Sequence, residues 1–273
     1  MFMGIHHVAI AVRSLDATAA FYRDTLGLSE ERRELVAEQG VQAALFPVEG
    51  GEIELLEPVN LNGGVAKFIE RRGQGLHHIC FQTSEVAKAL ERAKTAGLAT
   101  IDKTPRKGLA GTIAFLHPST THGLLVELAQ PDQGEMAHKK PHVRLETTYL
   151  AVADPTAAAE CYERHFDARR GAWAEDPGLG INVLPVDVGT GRLTLVPAAA
   201  LAEAAGPFRG RGEGLLGLGL GVQDFGTTLR ELKQHEVAVT VWGEETGRPL
   251  ACIDPSRTAG AVVLVRQATD ASL

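Results

Sequence analysis

The stretch Gly75-Leu76-His77-His78-Ile79-Cys80-Phe81-Gln82 repeats the pattern of Ile5-His6-His7-Val8-Ala9-Ile10-Ala11-Val12. Each opens on paired histidines and then alternates bulky apolar residues with small or polar ones. That period of two marks a half-buried strand. Neighbours on a strand point to opposite faces. His77, Ile79 and Phe81 therefore share a bulky face suited to packing under helices, while His78, Cys80 and Gln82 share a roomier one. In the earlier copy Val8, Ile10 and Val12 are bulky, and His7, Ala9 and Ala11 line the roomy side. His7 and His78 are the functional candidates, and His77 is assigned to structure. A helix is predicted after each strand, over Leu15–Leu26 and Val86–Ala96, each opened by a serine/acid capping signal and closed at Gly27 or Gly97. Each copy then ends on a strand with an acid among apolar residues, Ile53-Glu54-Leu55-Leu56-Glu57-Pro58 and Val126-Glu127-Leu128-Ala129-Gln130-Pro131. The histidines lie 71 residues apart and the acids 73.

A longer repeat lies over this one, at an offset of 140. Ala11-Val12 and Thr18–Tyr22 match Ala151-Val152 and Ala158–Tyr162, and Arg72–Leu76 and His117-Pro118-Ser119 also recur further on. Two tandem modules follow, 1–131 and 143–268, joined by a polar linker over 132–142. Each is expected to hold two βαβββ units, an α+β fold with open, barrel-like mixed sheets. A net charge of −7 without a long basic run argues against nucleic acid. No apolar run approaches the roughly 18 residues that span a bilayer, and there is no signal-peptide pattern. The expected setting is cytoplasmic, with Cys80, Cys161 and Cys252 reduced and too widely spaced for a zinc–thiolate site.

Symmetric pairing of the two halves of the first module would bring His7, Glu54, His78 and Glu127 together. Two imidazoles and two carboxylates suit one divalent ion, Co, Ni, Zn, Mn or Fe, with open positions left over. A carboxylate inside an apolar strand calls for a partner, because an unpaired buried charge is costly. The second module acts as an internal control. Its equivalent positions carry Thr147, Thr194, Gly217 and Leu264, so the scaffold persists while all four donors are gone.

The first module resembles the vicinal oxygen chelate (glyoxalase/bleomycin resistance/dioxygenase) superfamily, and within it the methylmalonyl-CoA epimerase family. The likeness is carried by Ile5–Ala9, Phe21-Tyr22 with Leu26-Gly27, Glu38–Val41, Ile53–Pro58, Lys67–Ile79, Phe115–Pro118 and Leu125–Leu128. The resemblance implies metal ligation by His7, Glu54, His78 and Glu127. It also implies a small-molecule substrate, an acyl-CoA such as methylmalonyl-CoA, bound through a thioester carbonyl and a neighbouring carboxylate. The expected activity is isomerisation by α-proton abstraction, with the enolate stabilised by the metal. Some epimerases place a base glutamate where this chain has Ala43, which leaves Glu127 or Glu54 to double as ligand and catalytic base, or a metal-bound hydroxide to serve. Lys67, Arg71, Arg106 and Lys107 are candidates for the phosphates of coenzyme A, against the plainer reading of solvated charges. His117 and His122 read as solvated loop histidines. Simple epimerases are single modules that pair as dimers, so a monomer or a homodimer is expected here. The alternatives are a glyoxalase I-type lyase, a dioxygenase of the same superfamily, and a non-catalytic binding protein of the bleomycin-resistance kind.

Overall fold

A computed structural model describes residues 1–132, 142–176, 178–202, 206–209, 211–244 and 247–268. Most of the expected linker, 133–141, lies outside the described residues. The first βαβββ unit is β1 (Phe2–Ala11), α1 (Leu15–Asp24), β2 (Arg32–Val36), β3 (Val41–Val48) and β4 (Gly51–Pro58). Helix α2 (Gly64–Arg72) leads to the second, β5 (Gly75–Thr83), α3 (Val86–Thr95), β6 (Arg106–Gly108), β7 (Gly111–Leu116) and β8 (Val126–Gln130). The third comprises β9 (Val143–Val152), α4 (Pro155–Phe166), β10 (Arg169–Arg170), β11 (Ala174–Asp176), β12 (Ile181–Val188) and β13 (Gly191–Pro197). The fourth comprises β14 (Gly214–Val222), α5 (Phe225–Gln234), β15 (Val239–Trp242), β16 (Leu250–Ile253) and β17 (Val262–Gln267). The repeats read from the sequence thus recur as elements in the same order.

Hydrogen bonding orders the strands β2-β3-β4-β1-β5-β8-β7-β6 in one sheet and β10-β12-β13-β9-β14-β17-β16-β15 in the other, with β11 paired to β12. Central pairs such as β5–β8 and β14–β17 are parallel, and the outer hairpins are antiparallel. The register confirms the internal control. Cys80 lies opposite Glu127, and Gly219 lies opposite Leu264. Counting back two residues on each central strand aligns His78 with Gly217.

By contacts, the chain forms two compact units, Met1–His7, His78–Ala137 and Thr147–Leu216 in one, and Val8–His77, His138–Glu146 and Gly217–Leu273 in the other. Each unit draws on both tandem modules. In the first unit Phe166 of α4 meets Phe2 and Phe81 at ring distances of 5.4 and 5.3 Å. This confirms the bulky face of β5, although the helix that covers Phe81 comes from the other tandem module. Tyr162 donates to the Thr121 carbonyl (3.0 Å), and Arg92 pairs with Asp167 (2.9 Å). In the second unit α1 packs on β3 and β4, and the Arg257 guanidinium lies 6.0 Å from the Phe21 ring centre.

The helix starts are less local than the sequence implies. Ser14 caps α1 as expected, its hydroxyl accepting from the Ala17 amide at 3.3 Å. At α3 the N-cap residue is Glu85, whose side chain makes no capping bond. Gln130 at the end of β8 accepts from the Val86 amide instead (3.2 Å). Glu57 serves Leu15 in the same way (2.7 Å), and Gln267 serves Phe225 (3.1 Å). The ends of three of the four closing strands therefore supply an acceptor to the first turn of a helix, where backbone amides otherwise lack partners.

Candidate functional site

Within the first unit three strands bring three polar side chains to one buried point. His7 comes from β1, His78 from β5 and Glu127 from β8, and they are 1, 2 and 4% exposed. The Nε2 atoms of His7 and His78 are 3.1 Å apart. Glu127 Oε2 lies 2.8 Å from His78 Nε2 and 3.4 Å from His7 Nε2. Burial opposes ionisation of the Glu127 carboxyl, but hydrogen bonds and charge from the two imidazoles outweigh it and hold the group below its ordinary range.

Three donor atoms separated by 2.8 to 3.4 Å have the spacing of neighbouring ligands around one ion with bonds of about 2.0 to 2.2 Å. Two neutral imidazole nitrogens and a carboxylate oxygen are also the donor types that borderline divalent ions accept. The residues present therefore fit such an ion. Glu54, the fourth sequence candidate, lies on β4 in the other unit, 4% exposed and opposite Leu45 in the β3–β4 register. Ala43, two positions from Leu45 on β3, is fully buried and brings no titratable group.

The surroundings orient the histidines. His6 Nδ1 lies 3.0 Å from His7 Nδ1, so one of the two rings donates to the other, and His7 is left with Nε2 toward Glu127. The sequence reading passed over His6, although its place beside His7 was the signal available. His6, His7 and Cys80 also set donor atoms within 4.8 Å of one another. Phe115 of β7 stands edge-on to the His78 ring at 5.2 Å. His77 packs against Phe68 of α2 at 4.9 Å, in keeping with a structural role. His117 is exposed and caps a short 3-10 turn through Ser119, far from an unusual environment. The three cysteines are free thiols.

The second module carries none of this chemistry among its described residues. Thr147 and Thr194, which replace His7 and Glu54, share a hydrogen bond of 2.7 Å. Leu264, in place of Glu127, is fully buried.

Sequence profiles of the Glyoxalase/Bleomycin resistance protein/Dioxygenase superfamily match residues 6–116 and 141–247. The chain belongs to this superfamily. The ethylmalonyl-CoA/methylmalonyl-CoA epimerase of Cereibacter sphaeroides is 37% identical over 129 residues, 46% of this chain and 96% of that protein. An uncharacterized Bacillus subtilis protein, YqjC, is 39% identical over 128 residues, 46% of this chain and 91% of that one. Both cover less than half of the chain. A mutant of 4-hydroxymandelate synthase from Streptomyces coelicolor aligns with the whole chain and 94% of its own, with a TM-score of 0.72 at 17% identity. At that identity the likeness concerns the fold. No helix among the described residues is long and apolar enough to cross a membrane.

Proposed function

We propose that this chain is a metal-dependent epimerase of an acyl-CoA such as methylmalonyl-CoA. Residues 1–131 form the active module and 143–268 a module that has lost the ligands. One observation carries the reading: His7, His78 and Glu127 converge in the half of the chain that is similar to epimerases. In this reading Glu54 completes the set, and the four residues hold one divalent ion, Co, Ni, Zn, Mn or Fe. Such an ion, when bound, supplies Lewis acidity that stabilises negative charge developing on the oxygens of the substrate.

The chain's own residues do the rest. His7 and His78 would turn their Nε2 atoms to the ion, and the His6 contact at Nδ1 fixes the orientation of the His7 ring. Epimerisation removes an α-proton from one side of the carbon and returns one to the other. With Ala43 apolar, a carboxylate oxygen of Glu127 or Glu54 is the proton acceptor among these residues. Low exposure at the site keeps bulk water from competing for the proton.

The test is deuterium wash-in at the α-carbon of methylmalonyl-CoA, run beside the hemithioacetal of methylglyoxal and glutathione. Exchange into the thioester alone supports the epimerase. Turnover of the hemithioacetal alone would replace it with a glyoxalase-type lyase. Silence on both substrates from metal-loaded protein would end the reading.

A further inference from the structure

Arg106 opens β6, and its register links it to the same sheet face as the histidine–carboxylate cluster. Arg106 lies opposite Ile113, and Phe115, two residues along β7, lies opposite Glu127. Opposed residues of an antiparallel pair share a face. The contacts agree. The Arg106 guanidinium carbon lies 5.6 Å from the centre of the Phe115 ring, and that ring stands 5.2 Å from His78.

The arginine is held firmly but is not fully used. Its Nε donates to Asp102 Oδ1 at 3.0 Å, while Asp102 Oδ2 accepts from the Phe115 amide at 2.8 Å. The hairpin beneath it has little freedom. Gly111 sits at φ 92°, and a Cβ there would meet the Gln130 carbonyl oxygen at 2.3 Å. At Gly108 a Cβ would come within 2.5 Å of the Ile113 side chain. Yet Arg106 Nη1 is buried and has no hydrogen-bond partner among the described residues. A dry cationic N–H without an acceptor is unfavourable. Asp102 is already committed through both oxygens, and Lys107 next door is paired with Asp132.

We propose that Arg106 Nη1 is a ligand subsite for an anionic oxygen group, held on the same sheet face as the His7–His78–Glu127 cluster. The inference rests on the functional reading above only for the claim that the ligand's reacting end lies at that cluster. The anionic group is a carboxylate of the acyl portion or a phosphate of its carrier. A guanidinium suits either, because its planar fork meets such oxygens in a fixed geometry that a lysine ammonium does not reproduce. Phe115 lies between the cluster and the subsite, in ring contact with His78 and under the guanidinium.

Affinities of full-length protein for acetate, malonate, succinate, glutarate and free coenzyme A, measured by calorimetry, test the proposal. The proteins are wild type, Arg106→Gln and Arg106→Lys, matched for metal content and melting temperature. Arg106→Gln should weaken one of the dicarboxylates, or coenzyme A, by about 10- to 100-fold while acetate is unaffected. Arg106→Lys should fall between the two. Loss confined to a dicarboxylate identifies the acyl carboxylate as the anion, and loss confined to coenzyme A identifies the carrier phosphate. Unchanged affinity for all of these in folded Arg106→Gln overturns the subsite. If that variant does not fold, wild-type affinities in folded Arg106→Lys overturn it equally. No turnover is required, so the subsite can stand when the epimerase reading fails. Proton exchange with no dependence of binding on Arg106 gives the reverse result.

Discussion

His78 is the side chain on which the candidate site turns, because it touches His7, Glu127 and Phe115 at once. Its replacement has two effects of different size. His78→Ala leaves the Glu127 charge buried with one imidazole fewer, and breaking a buried pair typically costs about 3 to 5 kcal/mol. It also removes a metal donor. His78→Gln keeps a polar side chain there and separates the two effects. Elemental analysis should find no bound ion in His78→Ala and a reduced content in His78→Gln, whose amide oxygen can still coordinate, while the melting temperature recovers in part with glutamine. Chelator should lower the melting temperature of wild type, since a ligand bound only to the folded state stabilises it. His78→Ala should not respond. Glu127→Gln is the complementary test of catalysis. An amide oxygen can still coordinate, but an amide is no base at neutral pH. Some metal should remain while α-proton exchange falls by about 10²- to 10⁴-fold. Exchange at the wild-type rate would remove Glu127 from the proton path.

At the scale of elements, the ends of β4, β8 and β17 recur as helix caps through Glu57, Gln130 and Gln267. This couples these three closing strands to the helices of their own βαβββ units. Gln130 is the cleanest case, because Glu85 at the α3 N-cap contributes no side-chain bond. Gln130→Ala should lower stability by about 0.5 to 2 kcal/mol in urea unfolding. Gln130→Glu keeps an acceptor and places a negative charge at a helix N-terminus, where it is favoured. That variant should match or exceed wild type. Equal loss in both would show that the bond to Val86 contributes nothing. The register supports the same picture of a repeated element with changed contents, since Cys80 faces Glu127 where Gly219 faces Leu264.

At the scale of the whole molecule, the tandem modules are not the compact units. Phe166 from the second module covers Phe2 and Phe81 from the first, and all three are at most 6% exposed. Gly189 comes so close to the Met3 backbone that a Cβ would sit 2.1 Å from its carbonyl oxygen. Burying one phenylalanine is worth about 1.5 to 3 kcal/mol. Residues 1–132 expressed alone should therefore self-associate or aggregate, and coexpressed 142–273 should rescue them as a one-to-one complex in size-exclusion chromatography. A stable, monomeric 1–132 fragment would contradict this. Metal analysis of the intact protein should give one ion per chain and not two, because the second module offers Thr147, Thr194, Gly217 and Leu264 at the matching positions.

Alternation along Ile5–Val12 and Gly75–Gln82, with the two nested repeats, was enough to determine the βαβββ order, the faces of the strands and the histidine of each pair that points inward. Those are local properties, set by the period of two along a strand. The repeat also marked Glu127, because an acid in an apolar strand must find a partner. Only the tertiary structure decided who the partners are. Phe115 between His78 and Arg106, and Gln130 on the Val86 amide, both depend on which elements lie side by side. The cover of Phe81 by α4 was equally hidden, since 85 residues separate Phe81 from Phe166 and no local pattern carries that distance. Packing joins residues by space, whereas periodicity reports only the next few along the chain.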